Sequence, residues 1–214
     1  DAIIVELTIP ASQVPELELE LSSINHGYRG FNSFSLFNLG DSDVCEINTV
    51  CPEGDNWRDQ IRSVAWYHIN GTTACTGTLL NNTAQDDKPY FLTAFHCFDM
   101  DKNSNLTDLE KVAAKTMVVY WNFEAHNCSD RNPVVYSEGQ NQLSATFRAG
   151  YWKSDFTLVE LDDMPPQSAE VYYAGWDYSD DVPSSGVSIH HPRSDLKKIS
   201  IENGPLDLRP TAIN

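Results

Sequence analysis

Apolar and polar positions alternate in short runs along most of the chain, at the two-residue period of a strand covered on one face. Residues 2–9, Ala-Ile-Ile-Val-Glu-Leu-Thr-Ile, predict a strand ended by Pro10, and Glu16–Leu21 alternates acid with leucine. Past residue 40 the rhythm returns in Ile61–Ile69, which Asn70-Gly71 closes as a turn dipeptide. Ala74–Leu80, Tyr90–Ala94, Met117–Phe123, Ser144–Phe147 and Phe156–Leu161 read as further strands. Asp108–Lys115 is the helix candidate, with Leu109, Val112 and Ala113 on one face. Many short strands, one brief helix and no βαβ rhythm predict an all-β barrel or sandwich. Between Gly40 and Asn56 the composition shifts to Asp, Asn, Cys, Pro and Gly, which places a boundary near residue 40.

Composition narrows the classes of function. The chain has 214 residues, 41% of them hydrophobic, enough to bury a core despite a net charge of −17. Only 14 residues are basic against 31 acidic, and no basic cluster occurs, which argues against a nucleic-acid partner. No apolar run reaches bilayer length, so the expectation is a soluble chain with no membrane partner. Five cysteines point to an oxidising compartment and leave one without a mate. The first residue is Asp1 rather than Met, which reads as a processed N-terminus.

Two motifs carry candidate chemistry. Phe91-Leu92-Thr93-Ala94-Phe95-His96-Cys97 runs a strand into a histidine that a neighbouring cysteine could anchor. A histidine acting as general base needs a fixed ring and an orienting carboxylate. Ser154-Asp155-Phe156-Thr157-Leu158-Val159-Glu160-Leu161 places an Asp at the head of an apolar strand, where it could hold an imidazole N–H. Taken singly, the first motif is equally a core histidine and the second a turn-capping Asp.

In this order the motifs resemble the histidine and aspartate segments of trypsin-like serine peptidases. The nearer resemblance is to the bacterial lysyl endopeptidase branch. It is carried by Cys45-Glu46-Ile47-Asn48-Thr49-Val50-Cys51-Pro52-Glu53-Gly54-Asp55, Ala74-Cys75-Thr76-Gly77-Thr78-Leu79-Leu80-Asn81-Asn82-Thr83 and Val119-Tyr120-Trp121-Asn122-Phe123-Glu124. Gly186-Val187-Ser188-Ile189-His190-His191-Pro192 extends it, so it spans about residues 41–200. The resemblance implies a trypsin-like double β-barrel, secretion from a bacterium, and hydrolysis of protein or peptide substrates after lysine. His96 becomes the general base and Asp155 its orienting acid. It also implies disulfides between Cys51 and Cys128 and between Cys75 and Cys97, leaving Cys45 unpaired. Phe95 departs from the small residue that most trypsin-like enzymes carry before this histidine.

The same resemblance puts the nucleophile in a Gly-Ser-Ser-Gly-Ser-Pro-like turn downstream of His190-His191-Pro192, and the sequence to Asn214 holds no such turn. Ser184-Ser185-Gly186 lies on the wrong side of that landmark. The expectation is a peptidase domain from residue 41 to 214, its second barrel incomplete, its serine and lysine pocket outside the sequence, and no turnover by this chain alone. A missing segment would also account for Cys45. Within residues 1–40, Ile24-Asn25-His26-Gly27-Tyr28-Arg29-Gly30-Phe31 resembles the end of a pro-region, with a permanently packed strand pair as the alternative. The competing readings of function are a peptidase-like scaffold that only captures a partner, and a gene fragment.

No cofactor is implied, with one exception at the level of spacing. Asp99, Asp101, Asn103, Asn105 and Glu110 occupy alternating positions and the twelfth of a calcium-loop pattern. Ser104 stands where the sharp turn wants glycine, and a solvated acidic loop is the plainer reading. His190 and His191, as neighbours on a strand, point to opposite faces and do not share an ion. The five tryptophans, Trp57, Trp66, Trp121, Trp152 and Trp176, are assigned to core or rim. Nothing in the sequence sets an oligomeric state.

Overall fold

The computed structural model describes residues 7–16, 42–43, 45–129, 140–179 and 181–207. The predicted strands over 2–9 and 16–21 fall mostly outside these residues. What is described of them, Leu7–Pro10 and a 3₁₀ turn over Ala11–Glu16, is not strand.

The other described residues form ten strands, two short α-helices and several 3₁₀ turns. In chain order the strands and α-helices are β1 (Ile47–Asn48), α1 (Arg58–Ser63), β2 (Val64–Ile69), β3 (Thr73–Leu80), β4 (Tyr90–Thr93), α2 (Asp108–Val112) and β5 (Val118–Tyr120). There follow β6 (Asn141–Leu143), β7 (Ala145–Tyr151), β8 (Phe156–Leu161), β9 (Gly186–His190) and β10 (Lys198–Glu202). The run predicted as one strand over 61–69 is divided, because Ile61–Ser63 complete α1 before β2 begins.

Seven strands form one antiparallel sheet in the order β6-β5-β2-β3-β4-β8-β7. Its two outermost strands, β6 and β7, are consecutive in sequence and separated only by Ser144, at φ 67°. One bent strand therefore serves both ends, and the sheet must curl until they meet. Asp162 pins this corner: its carboxylate accepts the Ser144 hydroxyl at 2.5 Å, the Thr146 hydroxyl at 2.9 Å and Lys115 Nζ at 2.7 Å. The barrel interior takes alternate residues, as strand geometry requires. Ala65, Tyr67 and Ile69 of β2 point inward with Leu79, Phe91, Val119, Ala145, Val159 and Leu161.

The other face of β2 is also covered. Trp66 packs against Tyr120, Phe123 and Leu196, which joins the barrel to a three-stranded sheet in the order β1-β10-β9. The result is an all-β, trypsin-like arrangement of a barrel with a second sheet beside it. Four of the tryptophans divide evenly between core and surface: Trp66 and Trp121 are buried, while Trp152 and Trp176 are exposed.

One face prediction is corrected. Of the predicted face, Leu109 and Val112 face solvent at 82% and 61% exposure and Ala113, just past α2, is buried; within α2 Glu110 is the buried side chain. The reason is capping rather than hydrophobicity. Thr107 Oγ1 accepts the Glu110 N–H while Glu110 accepts the Thr107 N–H at 2.9 Å, a reciprocal capping box that turns the carboxylate inward.

Candidate active site

β4 and β8 pair antiparallel, with Thr93 opposite Thr157. Continuing that register by two residues brings Phe95 opposite Asp155, and the Phe95 N–H donates to the Asp155 carbonyl at 3.1 Å. Beyond β4 the chain tightens into a 3₁₀ turn over Phe95–Cys97. Ahead of β8, Asp155 ends another such turn, over Trp152–Ser154, in the left-handed conformation at φ 48° and ψ 40°. Two turns on adjacent strand ends thus bring His96 and Asp155 together across 59 residues of sequence.

The pair is doubly hydrogen-bonded. Asp155 Oδ1 accepts the His96 backbone N–H at 2.9 Å, and Oδ2 lies 2.7 Å from His96 Nδ1. A carboxylate there fixes the tautomer with the proton on Nδ1 and the lone pair on Nε2. The His96 side chain is 67% exposed and that of Asp155 32%. Among the described residues Nε2 has no hydrogen-bond partner, so its lone pair faces outward.

Two anchors hold the histidine turn. The disulfide Cys75–Cys97 ties it to β3, with Cα atoms 6.5 Å apart. Immediately upstream, the Thr93 hydroxyl donates to the Thr76 carbonyl at 2.8 Å and meets the Tyr67 hydroxyl at 2.7 Å. Tyr67 is fully buried, and burial pushes its phenol far above the usual range, with only the Thr93 hydrogen bond opposing. The Tyr67 contribution was not legible from sequence, because nothing local signals a hydroxyl pair across the sheet.

The remaining candidates are dispersed. Cys51 is bonded to Cys128, and Asn48 Nδ2 donates to the Cys128 carbonyl at 3.0 Å. Cys45 is an exposed thiol. Ser184 and Ser185 are exposed at the entry to β9, and neither is hydrogen-bonded to His96. His190 is held by Glu46 at 3.0 Å and His191 is buried with its Nδ1 on the Asp195 carbonyl, so the two histidines do face apart.

In the acidic loop, carboxylate oxygens of Asp99, Asp101 and Glu110 lie within 4.8 Å of one another. Asp99 already accepts the N–H groups of Asn103 and Ser104, Asp101 accepts Asn103 Nδ2, and Glu110 accepts the Met100 N–H. Asn103 Oδ1 accepts the Asn105 N–H. Burial raises the Glu110 carboxyl, but hydrogen bonds from Thr107, Met100 and Asp101 outweigh it and hold the group below its usual value. The loop closes on its own backbone donors.

A buried polar layer under the small sheet was missed entirely by sequence. Lys197 is wholly buried, donating to the Ile61 carbonyl at 3.0 Å, and Lys198 donates to Asn48 Oδ1 at 2.6 Å. A Lys-Lys pair reads as surface; here Lys197, just before β10, is turned toward α1, and Lys198, at the head of β10, toward β1.

A closed antiparallel barrel with a histidine–carboxylate pair at its rim, and a second sheet alongside, has the organisation of the trypsin-like peptidases. The family described as "Lysyl endopeptidase, C-terminal domain" matches residues 39–211, and the chain belongs to it. The chain is 29% identical over 228 residues to a protein of Pseudomonas aeruginosa named "Lysyl endopeptidase". That alignment takes in 95% of this chain and 44% of the relative, so the chain spans less than half of the relative's length. Membership in a bacterial peptidase family accords with two disulfides, and no helix among the described residues is long and apolar enough to cross a membrane.

Proposed function

We propose that this chain is part of a secreted serine endopeptidase that hydrolyses peptide bonds after lysine, with His96 as general base and Asp155 as its orienting acid. The observation that carries the reading is the 2.7 Å contact between His96 Nδ1 and Asp155 Oδ2, with Nε2 left open. In that tautomer Nε2 can take a proton from a serine hydroxyl and return it to the leaving amine, while Asp155 stabilises the imidazolium. No serine of the described residues is bonded to His96. We assign the nucleophile, its oxyanion donors and the lysine pocket to the part of the relative's length that this chain does not span, so the chain alone is inactive.

The test is hydrolysis of lysyl amides by the intact protein that carries this domain. Asp155→Asn is expected to lower kcat by about 10⁴-fold, since it imposes the wrong tautomer, and His96→Ala to abolish turnover. Retained activity in either variant removes the role assignment. For this chain alone the expected outcome is no labelling by a serine-directed phosphonate. A labelled serine would show that the nucleophile lies within it.

A further inference from the structure

The face of α2 that the capping box leaves outward is apolar. Leu109 and Val112, three residues apart and so on one side of the helix, project into solvent while Glu110 turns in. With Met100, itself 45% exposed, they line an open trough of about 560 Å³, a size usual for ligand clefts. Asn70, in the turn between β2 and β3, and Thr116, in the 3₁₀ turn after α2, line it as well. The trough is held in shape. The Asn70 N–H donates to the Thr116 hydroxyl at 2.9 Å and Asn70 Nδ2 to Met100 Sδ at 3.6 Å, which ties hairpin, helix end and loop together.

Its charge is of one sign. Asp101 and Glu110 are in the lining, and no lysine or arginine is. The two lysines that follow on the helix and its 3₁₀ extension, Lys111 and Lys115, are engaged by Asp108 at 3.2 Å and by Asp162 at 2.7 Å. Among the described residues no ion pair reaches Asp101, whose carboxylate accepts from Asn103. An apolar trough with an uncompensated carboxylate at its rim fits an occupant that is both aliphatic and cationic.

We propose that this trough docks a segment of a polypeptide substrate in which a lysine or arginine stands beside an aliphatic residue. The aliphatic side chain covers Leu109, Val112 and Met100, and the cation meets Asp101. An acidic segment is repelled there, and a wholly apolar one leaves Asp101 without a counter-charge. A second copy of the chain carries −17 itself, which disfavours self-docking at an acidic rim. On the proposed function, on which the word substrate rests, the trough is a hold remote from the bond to be cut. Met100 and Asp101 lie on the connection that leaves the disulfide-tied histidine turn, so a segment held there keeps the rest of its chain near His96 at a raised effective concentration.

The test is fluorescence anisotropy of a labelled Gly-Lys-Leu-Leu-Lys-Gly peptide with the intact protein carrying His96→Ala, which spares the trough and prevents cleavage. One equivalent is expected to bind, more weakly as salt rises. Leu109→Lys and Val112→Ser, both at exposed positions, should each weaken binding at least about tenfold. Asp101→Asn should weaken it about two- to fivefold and flatten the salt dependence. Norleucine in place of the peptide lysines should act as Asp101→Asn does, and serine in place of its leucines as Val112→Ser does. Binding unchanged by Leu109→Lys and Val112→Ser, or by norleucine, overturns the proposal. So does self-association that those variants abolish, which would give the trough to a second copy. Binding by this chain alone but not by the intact protein overturns it too, since another segment then covers the trough. The readout needs no hydrolysis. A protein that binds the peptide but, with His96 restored, cleaves no lysyl amide fails as a peptidase, whereas one that cleaves without binding fails only here.

Discussion

At Gly77, a Cβ would stand 2.0 Å from Cε1 of Phe91. The ring lies across the glycine because β3 and β4 meet there, in the strand pair that leads to His96. Gly77→Ala must therefore push the ring or the strand aside. It is expected to cost at least about 1–3 kcal/mol, the usual range for an overpacked core, read as a lower urea midpoint with unchanged m. Asp155 makes the complementary case, where a polar group rather than a void fixes geometry. Its bond to Nδ1 predicts a far-downfield imidazole proton in the NMR spectrum that vanishes in Asp155→Ala and in His96→Ala. A signal that persists in either variant would belong to another group and would dissolve the pair.

Among the elements, α2 shows how a short helix is oriented by its cap rather than by its apolar stripe. Thr107→Ala removes the hydroxyl that closes the capping box and is expected to lower stability by about 0.5–2 kcal/mol, measured by thermal melting. Leu109→Lys, on the exposed face, should shift it by no more than about 0.5 kcal/mol. The periodicity over Asp108–Lys115 located the helix yet misplaced Leu109 and Val112, though not Ala113, since hydropathy has no access to which oxygen accepts an end N–H. Strands with one covered face, such as Phe156–Leu161, were legible to the residue because inward and outward positions alternate there. β10 was not, as the buried Lys198 at its head and Lys197 just before it break the pattern that reveals a strand. The site was legible through local motifs, His96 and Asp155 each preceding or following an apolar run, whereas the Tyr67–Thr93 anchor depends on pairing across the sheet. The two disulfides divide by loop length in the same manner. Closing 77 residues, Cys51–Cys128 restrains the unfolded chain more than Cys75–Cys97 with 22. By the chain-entropy estimate the difference is about 1 kcal/mol, which paired Cys→Ala variants would test.

For the whole molecule, buried titratable groups set the pH range of stability. Burial is the main cause that lowers the imidazole of His191 well below its usual value, with the Lys197 charge adding to it; burial also lowers His68. Below about pH 6.5, the unfolded value for histidine, the unfolded chain takes up protons that the fold refuses. Stability contributed by these neutral rings is thus present above that value and declines as pH falls. Tyr67, Tyr120 and Tyr173 are raised by burial, so their contribution is present below about pH 10 and is lost as pH rises above it. Urea unfolding at pH 7.5 and pH 5.5 should show a smaller drop for His191→Gln than for the native chain. An equal drop would place the acid sensitivity elsewhere. The β4–β8 ladder gives the molecule a further property. It behaves like a vernier, in which the packing of Phe91 against Val159 inside the barrel sets where the two scales align at the rim. A slip of two residues would carry the carboxylate roughly 7 Å along its strand, beyond reach of the ring. Tuning the base is then a matter of barrel mechanics, and core substitutions remote from His96 become instruments for adjusting it.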